Sequence, residues 1–172
     1  MSEVEITVLG ATATAADLDA LAAVLEDCVA GGASVNFMQP FTREDAVGFY
    51  RNVIEGVSRS DIILFAASVG GTIVGTVQLD LDTPPNQPHR AELKKMLVHR
   101  SARGQGVGAE LLQHAERVAK QLGRTLLVLD TASEEAARLY TRGGWQRLGT
   151  IPDYALWPAG GFCDATIFWK KL

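Results

Sequence analysis

The chain has 172 residues, of which 47% are apolar and 21% charged, and it carries a net charge of −4. That length fits one domain with a sizeable core, and the acidic balance excludes a general nucleic-acid binder, which needs a basic surface to displace counterions. No apolar run reaches the roughly 18 residues of a membrane span, and the first residues are acidic and alternating, so neither a span nor a leader peptide is expected.

In chain order, Val4 to Leu9 alternates and predicts a strand. Thr14, with Asp17 three residues on, is a helix N-cap signal. Leu18, Leu21, Ala22, Leu25, Cys28 and Val29 follow at helical spacing until Gly31-Gly32. Pro40 and Thr42 open a second helix, with an apolar stripe through Ala46, Phe49, Tyr50, Val53, Ile54 and Val57. Ile62 to Val69 and Thr72 to Leu81 predict strands joined by a Gly70-Gly71 hairpin turn. After the loop "DTPPNQPH", Ala91 to Val98 is the next strand, and a glycine stretch leads into a helix ending near Leu122. Thr125 to Leu129 is a short buried strand. Ser133 opens a helix that Gly143-Gly144 closes, and Trp145 to Ile151 and Ala165 to Lys170 are the last strands. A long loop rich in Gly, Pro and aromatics, "PDYALWPAGGFC", is expected between those two strands.

Strands joined by a hairpin must be antiparallel, whereas strands separated by helices can be parallel. The fold class is therefore α/β, a mixed sheet of about seven strands with about four helices on its two faces, in a single domain over 1–172. Cys28 and Cys163 have no ligand-like spacing and read as reduced thiols of a cytoplasmic protein. His89, His99 and His114 show no metal spacing, so no metal is expected.

The segment "LVHRSARGQGVGAELL" carries the functional signal. Glycines at a strand-to-helix junction let an anion approach backbone N–H groups closely, where the helix dipole adds positive charge. One reading is a dinucleotide fold. Gly104-x-Gly106-x-x-Ala109 matches its fingerprint, and Asp130 ends the next strand where a ribose-binding carboxylate would sit. Against it, a hairpin precedes the fingerprint strand, too little chain follows, and His99 to Arg103 intervene where a tight turn is wanted. A P-loop is excluded by the lack of Gly-Lys-Ser/Thr. The other reading is a pyrophosphate cradle in which Arg103-x-x-Gly106-x-Gly108 wraps one turn of amides, with Arg103 and also Arg100 supplying whole charges.

Met96-Leu97-Val98 followed by Arg103, Gly106 and Gly108 resembles the acetyl-CoA motif R/Q-x-x-G-x-G/A of the GNAT superfamily of N-acetyltransferases. The segment Ser133-x-x-Ala136-x-x-x-Tyr140-x-x-x-Gly144-Trp145 is similar to the family's N-x-x-A-x-x-x-Y-x-x-x-G-F, with Ser for Asn and Trp for Phe. Ser133 can still cap its helix. The resemblance is strongest from Ala91 to Trp145 and weak over the first 60 residues. It implies a sheet that splays beside the motif strand and a cofactor site for acetyl-CoA made of Met96, Leu97, Val98, Arg103, Gly104, Gln105, Gly106, Val107, Gly108, Ala109, Ser133, Ala136 and Tyr140. It also implies that Tyr140 is the general acid for the leaving thiolate and that the Met96 N–H is the oxyanion donor.

For the general base, two carboxylates compete. Glu92 lies on the motif strand, at the place where histone-acetylating members of the family keep a catalytic Glu. Asp130 sits at the C-terminal end of the following strand, where open sheets place their ligands. The bland alternatives are that Glu92 pairs with Lys94 or Arg90 and that Asp130 caps the Ser133 helix. Arg138 can reach the adenosine end of the donor or stay solvated. His99 and His114 read as surface residues. Trp157, Tyr154 and Phe162 line an acceptor pocket or pin their loop.

The tail, together with "LLVLDTASEEAARLYTRGGW", is similar to the small-molecule branch that includes the tabtoxin-resistance acetyltransferase. That implies a primary amine on a small polar, amino-acid-like or antibiotic-like acceptor, which Asp130, Asp153 and Asp164 can attract if they cluster. The alternatives are a protein Lys or N-terminal acetyltransferase, a non-catalytic acyl-CoA-binding module, or an NAD-binding protein. Neither nucleic acid nor membrane is an expected partner, and a monomer and a homodimer are both open.

Overall fold

Thr14 and Thr42 start their helices as the spacing predicts. Each side chain accepts from the backbone N–H three residues on, and Asp17 or Asp45 reaches back to the cap's own N–H. Each capping box contributes about 1 kcal/mol. The computed structural model describes residues 3–172; Met1 and Ser2, where the expected single domain begins, lie outside the described residues. The elements are β1 (Val4–Leu9), α1 (Ala15–Ala30), α2 (Arg43–Ser58), β2 (Ile62–Val69), β3 (Thr72–Asp80), β4 (Arg90–Val98), α3 (Val107–Gln121), β5 (Leu126–Thr131), α4 (Glu134–Arg142), β6 (Gln146–Leu156) and β7 (Phe162–Lys171), with a 3-10 turn at Arg100–Ala102.

The seven strands form one sheet in the order β1-β2-β3-β4-β5-β7-β6. Only β4 and β5 run parallel; all other neighbours are antiparallel. One parallel pair preceded by a hairpin does not build a dinucleotide fold, whose sheet is a parallel series. The apolar stripes of α1 and α2 bury against Leu64, Ala66 and Leu97 on one face. Those of α3 and α4 cover Phe65, Val77, Leu79, Leu93, Leu127 and Phe168 on the other. Gly75 in β3 allows α3 its close approach, since a Cβ there would lie 2.8 Å from Val107 Cγ1.

The functionally important departure from regularity lies in β4. Lys94 faces Gln78 of β3 and Leu97 faces Thr76, so Lys95 and Met96 together oppose Val77. Lys95 takes φ +50° to make this bulge. A bulge bends and twists its strand. The β4–β5 pairing accordingly ends at Glu92↔Val128, while β5 continues along β7 to Thr131. The sheet opens there, leaving the β4 edge from Leu93 to Val98 without a strand partner on the β5 side.

Two expectations change. The segment "PDYALWPAGGFC" is not a long loop: β6 extends to Leu156 and β7 starts at Phe162, leaving a short turn closed by Trp157 N–H to the Gly161 carbonyl (2.9 Å). Asp153 takes φ +53° within an irregularity of the ladder between Ile151 and Ala155, and this local break is what makes a continuous strand read as a loop. The strand placed at Thr125 to Leu129 instead runs through Asp130 to Thr131, because β7 supplies it with a partner. Among the described residues, no helix is long and apolar enough to cross a membrane, and no group of three His, Cys, Asp or Glu residues could hold a metal ion.

Candidate active site

Three of the four helices begin with a side-chain cap, Thr14, Thr42 and Ser133. The exception is α3. Its N-cap is Gly106, at φ +84°, and no side chain bonds to its first amides. Gly104 is also left-handed, at φ +71°, and a Cβ added at Gly104 or Gly106 would meet nothing within 4 Å. The result is an open concave turn in which the N–H groups at the start of α3 lack a protein acceptor, the arrangement that suits a pyrophosphate. Val107 is buried, fixing the turn to the core. Gly108 faces α4, with only 3.1 Å between a would-be Cβ and Leu139 Cδ2. Gln105 Nε2 donates to the Ser101 carbonyl (3.1 Å), stiffening the rim.

The two arginines differ from each other. Arg100 does not serve the cradle as expected: its Nε and Nη2 both reach Asp27 Oδ1 (2.9 Å each), and its backbone N–H reaches Asp27 Oδ2 (2.8 Å). Partial burial of Asp27 acts against its ionisation, but the Arg100 bonds and the His99 charge outweigh it and hold the carboxyl below the usual range. The side chain of Arg103 is exposed at the rim. Its Nε donates to the Val98 carbonyl (3.2 Å), and its Nη1 lies 3.9 Å from Glu135. It therefore stands between the motif strand and the start of α4.

At the open end of the sheet, Tyr140 projects from α4 with its ring against Trp145 and Phe168, centroids 5.7 Å from each. It is 4% exposed. Burial, then the charge of Asp130, pushes its phenol well above the ordinary range. The Asp130 charge thus favours the neutral form of Tyr140, and the phenol stays protonated. Asp130 is exposed and does not cap α4: Ser133 does so with its own Oγ, which accepts the Ala136 N–H (3.2 Å), and the Ser133 N–H goes to Thr131. Glu92 lies 3.7 Å from Lys94 Nζ, which also binds Asp80 at 2.6 Å. Burial works against the Lys94 ammonium, but Asp80 and Glu92 together raise its pKa. Arg90 turns to Gln87 instead of Glu92.

On the far side, Trp157 and Phe162 line a cleft of about 440 Å³ with Glu134, Arg147, Cys163 and Asp164; Tyr154 does not. Asp153 and Asp164 do meet, through the Asp153 N–H to Asp164 Oδ1 (3.0 Å). The segment between α1 and α2 is tied to this hairpin by Ser34 Oγ to the Leu156 carbonyl and by the Gln39 N–H to the Pro158 carbonyl, both 2.9 Å. Sequence reasoning passed over Lys95. The available signal was the doublet Lys94-Lys95, which breaks the in-out alternation of the strand at the bulge.

Residues 36–145 match the acetyltransferase (GNAT) family. Among curated proteins, the chain is 30% identical over 113 residues to an IAA acetyltransferase of Azospirillum brasilense, covering 64% of this chain and 72% of that protein. Among solved structures, the fold is similar to a ribosomal-protein-alanine N-acetyltransferase of Brucella melitensis (TM-score 0.79, 24% identity, 98% of this chain and 99% of that one). It is also similar to a GNAT superfamily phosphinothricin acetyltransferase of Sinorhizobium meliloti solved in complex with acetyl-CoA (TM-score 0.79, 16% identity, 98% and 88%).

Proposed function

This chain belongs to the acetyltransferase (GNAT) family, and on that premise we propose that it moves the acetyl group of acetyl-CoA to the primary amine of a small polar molecule by direct attack on the thioester. The observation that carries this reading is the uncapped start of α3 beside the opening between β4 and β5. Those elements supply, on one side of the sheet, an anion cradle and a run of strand edge without a neighbour.

Acetyl-CoA supplies the activated acetyl thioester. The amides of Gly104, Gln105, Gly106, Val107, Gly108 and Ala109, with Arg103, hold the pyrophosphate. The edge of Met96, Leu97 and Val98 pairs with the pantetheine arm, and Ser133 and Ala136 border it from α4. The Met96 N–H donates to the carbonyl oxygen as negative charge develops there. Glu92 or Asp130, directly or through water, takes the proton that the amine must lose before it can attack. A new C–N bond forms, the C–S bond breaks, the Tyr140 hydroxyl gives its proton to the departing thiolate, and the second proton lost by the nitrogen as it becomes an amide passes through water to the phenolate and restores it. Its raised pKa keeps it in the donor form across the neutral range.

The ties from Ser34 and Gln39 to the β6–β7 hairpin support a small acceptor, since they hold the α1–α2 segment against that hairpin. We place the enzyme in the cytoplasm, acting without a metal. The test is release of free CoA thiol over a panel of small amines and of peptides with free Lys or N-termini, using wild type and Tyr140→Phe. Turnover on small amines that falls steeply in Tyr140→Phe supports the assignment. Turnover confined to peptides would move the acceptor class, and acetyl-CoA binding with no turnover on either would make the chain a binding module.

A further inference from the structure

Glu92, Lys95 and Asp130 reach one face of the sheet. Gln78 faces Lys94 and Thr76 faces Leu97, and Leu97 lies in the core beneath α1 and α2. Side chains alternate along a strand, so Glu92 shares that face with Lys94. Val128, the register partner of Glu92, turns to it as well, and with it Asp130, two residues on. The Lys95 side chain springs from the bulge, at φ +50°, and its Nζ lies 6.0 Å from the ring centroid of Phe37 and 5.9 Å from that of Phe49, both packed on the same core. Lys95 thus stands on the side where an amine would meet the two candidate bases, one residue before the Met96 N–H assigned to the oxyanion. Little holds its ammonium. Among the described residues it forms no ion pair and no hydrogen bond, whereas Lys94 is bound by Asp80 and Glu92, and Lys170 by Glu116. Lys95 is half-buried, and burial and then the Lys94 charge lower its pKa, with Asp130 and Glu92 pulling the other way. A lysine shifted in this direction holds more of the neutral amine that attacks a carbonyl, on a flexible four-carbon stem.

Resting on the acetyltransferase reading above, we propose that Lys95 is a self-acetylation site: with acetyl-CoA bound and no other amine at the opening of the sheet, the Lys95 Nζ takes the acetyl group. The ammonium first loses a proton to Asp130 or Glu92 and from there to water. The neutral nitrogen forms a bond to the acetyl carbon, the C–S bond breaks, and the departing thiolate takes the Tyr140 proton. The second proton lost as the nitrogen becomes an amide passes through water to the phenolate and restores it. The products are free CoA and a neutral side chain at position 95. Acetylation removes the charge of a lysine and its attraction to aromatic rings, so the modified protein no longer sets the Lys95 cation beside an ammonium that approaches Glu92 and Asp130.

The experiment incubates the protein with limiting acetyl-CoA and no added amine. Intact mass counts the acetyl groups gained, and fragment-ion mapping separates Lys95 from Lys94. Wild type, Lys95→Arg and Gly106→Asp are compared, with acetyl-CoA binding titrated in each. Wild type is expected to acetylate Lys95 about tenfold or more faster than Lys94, Lys120, Lys170 or Lys171, because a held thioester replaces a chance encounter. The rate per molecule is independent of protein concentration. Lys95→Arg binds acetyl-CoA but loses the fast acetylation, and Gly106→Asp slows it along with donor affinity. Similar rates at all the lysines overturn the inference, as does a Lys95 rate that is unchanged in Gly106→Asp or that rises with protein concentration. Acetyl-CoA binding without acetylation of Lys95 also overturns it, while leaving the donor site standing. Absence of acetyl-CoA binding in wild type would instead remove the reading on which it rests.

Discussion

Gly106→Asp separates folding from donor binding more sharply than any other single change. Gly106 is left-handed at φ +84°, and a Cβ there meets nothing within 4 Å, so the substitution brings strain without a clash. The left-handed conformation costs a non-glycine residue about 1–2 kcal/mol, with Asp among the residues that tolerate it best. A carboxylate at an N-cap returns about 1 kcal/mol by binding the free amides and opposing the helix dipole. The net loss is then within about 1 kcal/mol, or roughly 2–4 °C in Tm for a chain of this size. Binding responds differently, because the new carboxylate occupies the amides meant for the pyrophosphate and repels it. Like charges about 4 Å apart at an effective dielectric near 20 repel by about 4 kcal/mol, and after salt screening about 2–4 kcal/mol is left, which is a loss of roughly 30- to 1,000-fold. Thermal melting and calorimetric titration with acetyl-CoA on the same sample read both quantities. A folded variant that binds acetyl-CoA within about threefold of wild type would refute the placement of the pyrophosphate at α3.

Tyr140→Phe keeps the ring packed on Trp145 and Phe168 and removes only the hydroxyl. Its kcat is expected to fall about 10²- to 10³-fold with acetyl-CoA affinity and Tm nearly unchanged, as stopped-assay kinetics and melting would show. Asp27→Asn tests the anchor of the turn before the cradle. The Asp27 carboxyl has a folded pKa below its unfolded value of about 3.9, so its contribution is present above pH 4 and is lost as pH falls through the lower folded pKa. The Tm gap between wild type and variant, open at pH 7, should close below about pH 4. Glu116→Ala strands the Trp145 Nε1–H and takes the counter-charge from Lys170, each bonded to Glu116 at 2.7 Å, leaving the ammonium the Gly143 carbonyl alone, and is expected to cost about 2 kcal/mol, or roughly 4–8 °C by differential scanning calorimetry.

Local chemistry made most of the fold legible. Thr14-Asp17 and Thr42-Asp45 mark their helices because capping is a contact between residues three apart. Gly70-Gly71 marks its hairpin because only glycine takes both positive φ values there at no steric cost. The uncapped Gly106 could be read for the same reason. What escaped was set by partners distant in the chain. β6 looked like a loop beyond Ile151 because nearly all its residues are exposed and, among the described strands, it pairs with β7 alone at the edge of the sheet. Arg100 looked like a phosphate ligand because Asp27, which takes it, lies 73 residues away. The bulge at Lys95 is a register shift against β3, and within β4 itself only the Lys94-Lys95 doublet hints at it.

The measurement that bears most directly on the central claim is calorimetric titration of the wild-type protein with acetyl-CoA, run beside an identical titration with NAD. One-to-one binding of acetyl-CoA with a Kd of roughly micromolar order, and no heat from NAD, is the expected result. Binding of NAD without binding of acetyl-CoA would contradict the account from the cradle upward.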